Sequence, residues 1–262
     1  MNTVITRHTP TADANAMIFA AGLGTRLAPI TDSTPKALVE VGGQPLLAHA
    51  LDHLRAEGFR RAVVNVPHFA QRVADYALLY ARRHPDISIS ISDESDLLLD
   101  TAGGLLKALP LFDPQQPIAA LNADVLSDAP IGLMLRLHRS RRHMATLLTQ
   151  RRSSSRRLLF DADGRLCGWC NEANGQTRMP RPTPFVHRAA FNGFHIIEPQ
   201  LLGRMMPVRP LGIIDAYLAL AAECHIGECN IDEGYHWFDV GTPQKLEAAR
   251  LFANRNRQES TK

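Results

Sequence analysis

The chain has 262 residues, 45% hydrophobic and 21% charged, with a formal net charge of +3. That length allows one large α/β domain or two small ones, and the small positive excess suits an anionic small molecule without demanding nucleic acid. No apolar run approaches the roughly 20 residues that span a bilayer, the opening MNTVITRHTPTADAN lacks the apolar core of a signal peptide, and four cysteines give no disulfide framework, so a cytoplasmic protein without a membrane partner is expected.

Residues 1–15 read as a flexible extension, 16–256 as a single domain and 257–262 as a tail. AMIFA at 16–20 is a buried strand, and it feeds Ala20-Ala21-Gly22-Leu23-Gly24-Thr25-Arg26. Glycines at 22 and 24 let the backbone turn sharply and approach a ligand, so that successive N–H groups can cradle phosphate oxygens. The loop is not a Walker A motif, and Leu27 stands where a dinucleotide fingerprint needs its third glycine. Arg26 offers a fork for phosphate oxygens. Lys36 offers a mobile point charge on a chain stiffened by Pro35.

A helix is expected over 44–57, with Leu46, Leu47, Ala50, Leu51 and Leu54 on one face and Gly58 ending it. RAVVNV at 61–66 is a strand, followed by a helix from about His68 to Arg83 and the strand ISISI. A small-residue turn at 101–104 should lead into a short helix, with Thr101 a candidate cap, and PIAALNAD is a fourth strand ending in Asp124. Strand–helix alternation implies right-handed crossovers and a mostly parallel, Rossmann-like α/β sheet with helices on both faces.

After about residue 144 the rhythm changes. MATLLTQ, RRLLF and RLCGWC read as successive strands, with DADG as a hairpin turn, which makes antiparallel additions in the second half. Cys167 and Cys170 form a C-x-x-C within a strand, where alternation should point the two sulfurs to opposite faces; structural thiols are expected rather than zinc or redox chemistry. The arginine-rich stretch 136–157 lacks stacking aromatics and reads as a solvated face rather than a nucleic-acid surface. MPRPTPFVHR is a loop or flap, AAFNGFHII a strand, LGIIDAYLALAAE a helix, YHWFDVG a strand ending near Asp239, and the last helix runs from Pro243 to about Asn254.

Asp124 and Asp239 both lie at strand ends, where parallel sheets place their ligand sites. A single strand-terminal Asp is commonly a turn residue or a cap. Two of them beside a phosphate loop suit Mg²⁺, which takes oxygen ligands and bridges phosphates.

The string G-L-G-T-R-L-A-P-I-T-x-x-x-P-K from Gly22 to Lys36 resembles the signature of the nucleoside-triphosphate:sugar-1-phosphate nucleotidyltransferases, and the chain from Ala16 onward follows their element order. The resemblance implies a glycosyltransferase-A-like fold and an enzyme of the EC 2.7.7 class. Such an enzyme transfers a nucleoside monophosphate from UTP or GTP to a sugar 1-phosphate, for cell-wall or surface polysaccharide precursors. By the same resemblance, Asp124 and Asp239 hold the catalytic Mg²⁺. Thr101, Ala102 and Gly103 match the nucleobase loop, which joins Ala20, Ala21, Gly22, Gly24, Thr25 and Arg26 in the nucleotide site. Asn192 and Gly193 match the sugar-lining segment. The short uridylyl- and guanylyltransferases of the family are the most similar in organisation, which leaves a monomer or small homo-oligomer. Two departures stand out: Asn122-Ala123-Asp124 replaces N-G-D or G-G-D, and the common E-K-P sugar motif is not recognisable. A cytidylyltransferase acting on phosphocholine or a similar acceptor, a non-catalytic nucleotide-binding regulator and a nucleic-acid binder are the competing readings.

Overall fold

The computed structural model describes residues 12–22, 24–67, 71–95, 97–231 and 234–260. Leu23 of the glycine loop, the expected helix start at His68, residues 1–11 of the extension and 261–262 of the tail lie outside them. Strand β1 (Asn15–Phe19) is the centre of the sheet. A hairpin of β2 (Glu40–Val41) and β3 (Gln44–Pro45) leads into a helix over Leu46–Ala56, then β4 (Arg61–Pro67), a helix over Gln71–Arg83 and β5 (Ser88–Glu94). A helix over Asp100–Ala108 precedes β6 (Ile118–Asn122) and the short β7 (Val125–Ser127). β1 pairs in parallel with both β4 and β6, and β4 with β5.

The second half adds a helix over Ile131–Arg141, β8 (Ala145–Gln150), β9 (Arg156–Phe160), β10 (Leu166–Asn171), β11 (Gln176–Arg178) and the long β12 (His187–Ile197). Helices over Pro199–Gly203 and Ile213–Leu220, β13 (Ile226–Asn230), β14 (Trp237–Asp239) and a helix over Pro243–Ser260 complete the chain. β12 runs antiparallel to β6, β8 and β9, which joins the parallel half to the additions in one ten-stranded sheet. The α/β architecture with antiparallel additions is therefore as the sequence predicts. The strand over Gln176–Arg178 and the helix over Pro199–Gly203 went unread because each is short, and Ile226–Asn230 because Gly227 and Glu228 interrupt its apolar run. The final helix continues past Asn254, into the segment read as a tail.

The alternation of β1 shows how the two cores arise. Ala16 and Ile18 face a cluster with Leu47, Leu51 and Leu54, Val73 and Ala77, and Met134 and Leu135, whereas Met17 faces Leu105 and Leu106, Ile213 and Tyr217. Successive strand residues point to opposite faces, so each face of the sheet carries its own helices. A third cluster of Leu27, Val39, Val41, Leu46, Leu126, Val240, Leu246 and Ala249 ties the loop after β1 to the last helix.

Two expectations are corrected. Residues 101–104 are not a turn but the first turns of the helix over Asp100–Ala108. The glycines there serve close packing: a side-chain carbon on Gly103 would lie 2.3 Å from the carbonyl oxygen of Arg209, and one on Gly104 2.6 Å from Glu94. Cys167 and Cys170 do not separate either. A register shift between Leu166 and Gly168 breaks the alternation, and both thiols pack in one small cluster with Leu159 and Met179. All four cysteines are free and buried, and among the described residues no three His, Cys, Asp or Glu side chains gather as metal ligands.

Two imidazoles are held neutral inside the core. Burial pushes His195 down to about 3 and His143 down to about 4, the latter with help from His225, His138 and Arg141. Unfolding therefore takes up protons once the pH falls below the free imidazole value, so this contribution to stability is complete above it and lost as the pH falls toward the folded values. Between about pH 7.5 and about pH 5 the loss is about 2 kcal/mol per imidazole. His143→Gln, which can still bond to Thr146, should show a correspondingly smaller drop in urea unfolding; an unchanged drop would refute the assignment.

Candidate active site

The cleft opens at the carboxyl ends of β1, β4, β5 and β6, where the strand order reverses around β1. Its volume is about 670 Å³. Ala20, Ala21, Gly22, Gly24, Thr25 and Arg26, the residues of the loop after β1, form one wall. Gly24 needs to be glycine for two reasons. Its φ is 69°, and an added side-chain carbon would come within 2.9 Å of Thr31 and 3.0 Å of Lys36. The Gly24 carbonyl accepts hydrogen bonds from the Thr31 hydroxyl and the Leu27 amide, which locks the turn into the short helix over Thr25–Leu27. No side chain caps that helix. At Gly22 a side chain would meet no protein atom within 4 Å.

Of the four charged residues singled out in the sequence, Arg26, Lys36 and Asp124 line the cleft, and Asp239 lies just outside it, next to Gly241. β6 ends at Asn122, so Asp124 sits in the tight turn before β7 rather than on the strand. β14 pairs antiparallel with β7, with Asp239 opposite Val125, and the Val240 amide donates to the Asp124 carbonyl at 2.8 Å. Asp239, on β14, is thus brought beside the turn that carries Asp124, from a segment more than a hundred residues away. Lys36, 8% exposed, pairs with the Asp124 carboxylate, and Lys245 pairs with Asp239 at 2.7 Å. Gly241 leaves room for Arg26 and Asp239 to face each other: a side-chain carbon there would lie 2.9 Å from the Asp239 carboxylate and 3.3 Å from the Arg26 guanidinium.

Ala123 causes no difficulty. It is 1% exposed, its amide donates to the Phe19 carbonyl, and among the described residues the only non-glycine positions with positive φ are Asp100 and Arg142. The small-residue requirement is one of space, not of backbone conformation.

At the other end of the cleft, Thr101 lines the wall, while Ala102 and Gly103 are buried behind it, with both amides donating to the Leu211 carbonyl. Asp100, with φ 58°, turns the chain into this helix, and its carboxylate accepts the Thr101 amide at 2.6 Å. Asn192 and Gly193 do not line this wall. They stand behind Asn122, close enough that a side-chain carbon on Gly193 would lie 2.8 Å from the Asn122 amide.

Sequence reasoning missed a polar pair. Asn65, at the end of β4, accepts from the Ala20 amide at 2.7 Å and donates to Glu94, at the end of β5, at 2.7 Å. Glu94 is 3% exposed and lines the cleft, and one of its carboxylate oxygens has no hydrogen bond of normal geometry among the described residues, although the Leu99 backbone lies near the carboxyl group. Burial raises its pKa, against the Asn65 side chain and the Leu99 backbone, which lower it. Both side chains lie at carboxyl ends of parallel strands, the signal that also marked Asp124 and that would have found them.

The nucleotidyl transferase family profile matches residues 15–158. The chain is 33% identical over 240 residues to the N-acetylmuramate alpha-1-phosphate uridylyltransferase of Caulobacter vibrioides, covering 89% of this chain and 94% of that one. It is 30% identical over 243 residues to the catalytic subunit beta of mannose-1-phosphate guanylyltransferase from Dictyostelium discoideum, covering 91% of this chain but 64% of that protein. The fold matches that of a UDP-glucose pyrophosphorylase solved with UDP-glucose, with a TM-score of 0.74 and 17% identity over 93% of this chain and 99% of that one. By the profile match and the Caulobacter vibrioides relative, the chain belongs to the nucleotidyl transferase family.

Proposed function

We propose that the enzyme transfers a nucleoside monophosphate from GTP or UTP to a sugar 1-phosphate, for cell-wall or surface polysaccharide precursors. A phosphate oxygen of the sugar 1-phosphate attacks the α-phosphorus in line, the bond to the β-phosphate breaks, and pyrophosphate leaves. The observation that supports this most directly is that Arg26, Lys36 and Asp124 line one cleft at the switch point of the sheet, with Asp239 just outside it beside Gly241. Phosphoryl-transfer chemistry asks mainly for positioning and charge neutralisation, and these are what the four residues can supply.

In this reading Ala20, Ala21, Gly22, Gly24 and Thr25 carry the triphosphate, Arg26 follows the charge developing on pyrophosphate, and Lys36 reaches the phosphate of the sugar. Asp124 and Asp239 would hold Mg²⁺, since two carboxylates supply the oxygen ligands that suit a hard cation. When bound, such a cation neutralises charge on the phosphate oxygens. Thr101, Ala102 and Gly103 shape the base end, and Asn192 and Gly193 the sugar end. The four free thiols suit a cytoplasmic enzyme.

Glu94 supplies the reason for the choice of base. Guanine and uracil carry a ring N–H that adenine and cytosine lack, and a buried carboxylate oxygen with no hydrogen bond of normal geometry among the described residues is an acceptor for it. The test is a screen of the four nucleoside triphosphates against mannose 1-phosphate and N-acetylmuramic acid 1-phosphate, read by pyrophosphate release. Turnover with GTP or UTP is expected; turnover with ATP or CTP alone would overturn the base assignment, and turnover with none would overturn the function. Glu94→Ala should lower kcat/KM for the preferred nucleotide by about 10- to 100-fold, the worth of a hydrogen bond to a charged acceptor. An unchanged nucleotide preference in that variant would remove Glu94 from the base site.

A further inference from the structure

The arginine-rich stretch 136–157 is mostly the solvated face that its composition suggests, with Arg136, Arg139, Arg141, Arg142, Arg151 and Arg156 exposed. Arg152 is different. It leaves the end of β8 and turns inward, half-buried, with its guanidinium carbon 4.2 Å from the ring centre of Trp237. Its Nε donates to the Asn192 side-chain oxygen at 3.1 Å, and one Nη donates to the Phe191 carbonyl at 2.8 Å. Its other Nη reaches the carbonyl of Ser153 at 3.3 Å.

These partners share one property. β12 pairs with β8 at Ala190 and Phe191 and again from His195, and the register shifts between them. Gly193, with φ 85°, makes the kink. A kink takes backbone groups out of the ladder, and buried ones need other partners. Here the Phe191 carbonyl is taken by Arg152 and the Asn192 carbonyl by the Trp237 indole N–H at 2.9 Å. The Asn192 side chain, 1% exposed, is fixed at both ends, its oxygen by Arg152 and its amide by the Tyr235 hydroxyl. The kink carries Gly193 against Asn122, which leads to Asp124; Trp237 begins the strand that ends in Asp239.

We propose that Arg152 is a positioning residue for the acceptor side of the active site: its planar fork pins the kink of β12 and its stacking on Trp237 ties that kink to the strand of Asp239. This rests on the proposed transfer to a sugar 1-phosphate. A lysine keeps the charge over Trp237 but cannot make the two forked bonds, so Arg152→Lys separates geometry from charge. The clamp contacts β12 and Trp237 and not the loop after β1, so its loss should weigh more on the sugar phosphate than on the nucleotide.

The test uses the full chain and three measurements on wild type, Arg152→Lys and Arg152→Gln. With whichever of mannose 1-phosphate and N-acetylmuramic acid 1-phosphate the wild type uses, KM for that sugar phosphate should rise about tenfold or more in both variants, the loss of one well-placed polar interaction. KM for the nucleoside triphosphate should stay within about twofold, because the phosphate loop is untouched. Deuterium uptake across residues 189–195 should increase, and in a Trp169→Phe background the Trp237 emission should shift in Arg152→Gln. Unchanged KM for the sugar phosphate, or equal losses for both substrates, would overturn the positioning role. Should the wild type turn over neither sugar phosphate, the functional reading falls by itself; the clamp is then judged on deuterium uptake and emission, and unchanged values would overturn it.

Discussion

Asp124→Ala should lower kcat by about 10³-fold or more at saturating Mg²⁺, the several kcal/mol that a bound cation contributes to charge stabilisation. It should also destabilise the fold, and the contrast with Asp239 makes the prediction specific. Lys36 is 8% exposed and depends on Asp124, so removing the carboxylate leaves a buried ammonium without its partner. Breaking such a half-buried pair costs about 2 to 3 kcal/mol. Asp124→Asn keeps an oxygen for Lys36, and should lose activity with less loss of stability. Asp239 pairs instead with Lys245, which is 51% exposed and regains water when its partner goes. Asp239→Ala should therefore lose activity with nearly wild-type unfolding. Steady-state kinetics beside urea unfolding of the three variants checks both halves, and Mn²⁺ binding followed by electron paramagnetic resonance gives a readout independent of turnover. Full activity in excess chelator would show that neither carboxylate serves a cation.

Arg26→Lys should lose about 10²-fold or more in kcat, although it conserves charge. Among the described residues the Arg26 guanidinium makes no ion pair; it faces Asp239 across Gly241 and lines the cleft beside the glycine loop. Its fork can hold two phosphate oxygens as charge moves onto pyrophosphate, which a point charge cannot reproduce. Lys36 should behave differently, because it enters the cleft from past Pro35 and already touches Asp124. Lys36→Ala should raise KM for the sugar phosphate as well as slowing turnover. Kinetics on both variants with each substrate varied in turn decides between the roles. Near-wild-type kcat in Arg26→Lys, or an unchanged sugar-phosphate KM in Lys36→Ala, would break the corresponding assignment.

Much of the architecture was legible because its signals are local. Apolar runs bounded by turn residues gave β1, β4, β5 and β6, and the spacing of Leu47, Leu51 and Leu54 gave a helix with one buried face. The glycine loop was legible for the same reason: Gly24 is dictated by its own backbone angle and by Thr31 and Lys36, both within twelve residues of it. Among the elements that went unread, β2, β3, β7, β11 and the helix over Pro199–Gly203 are too short for a period to show, and β13 breaks its apolar run with Gly227 and Glu228.

What the sequence by itself determined is the chemistry on offer: a loop that can cradle phosphates, a forked cation, a point cation and two carboxylates on a parallel-sheet scaffold. The tertiary structure alone decided which of these meet and which other groups join them. The pairing of β14 with β7 brings Asp239 beside Asp124, and no local pattern encodes a contact across that separation. A bulge brought Cys167 and Cys170 together where alternation would have parted them. Gly103 looked like a turn glycine, and is a packing glycine because the Arg209 backbone lies against it. Asn65, Glu94 and Arg152 look ordinary in sequence. Each acquires its place only when strand ends and kinks from distant segments leave polar groups away from water, where a buried donor or acceptor must find a partner or remain open to a ligand.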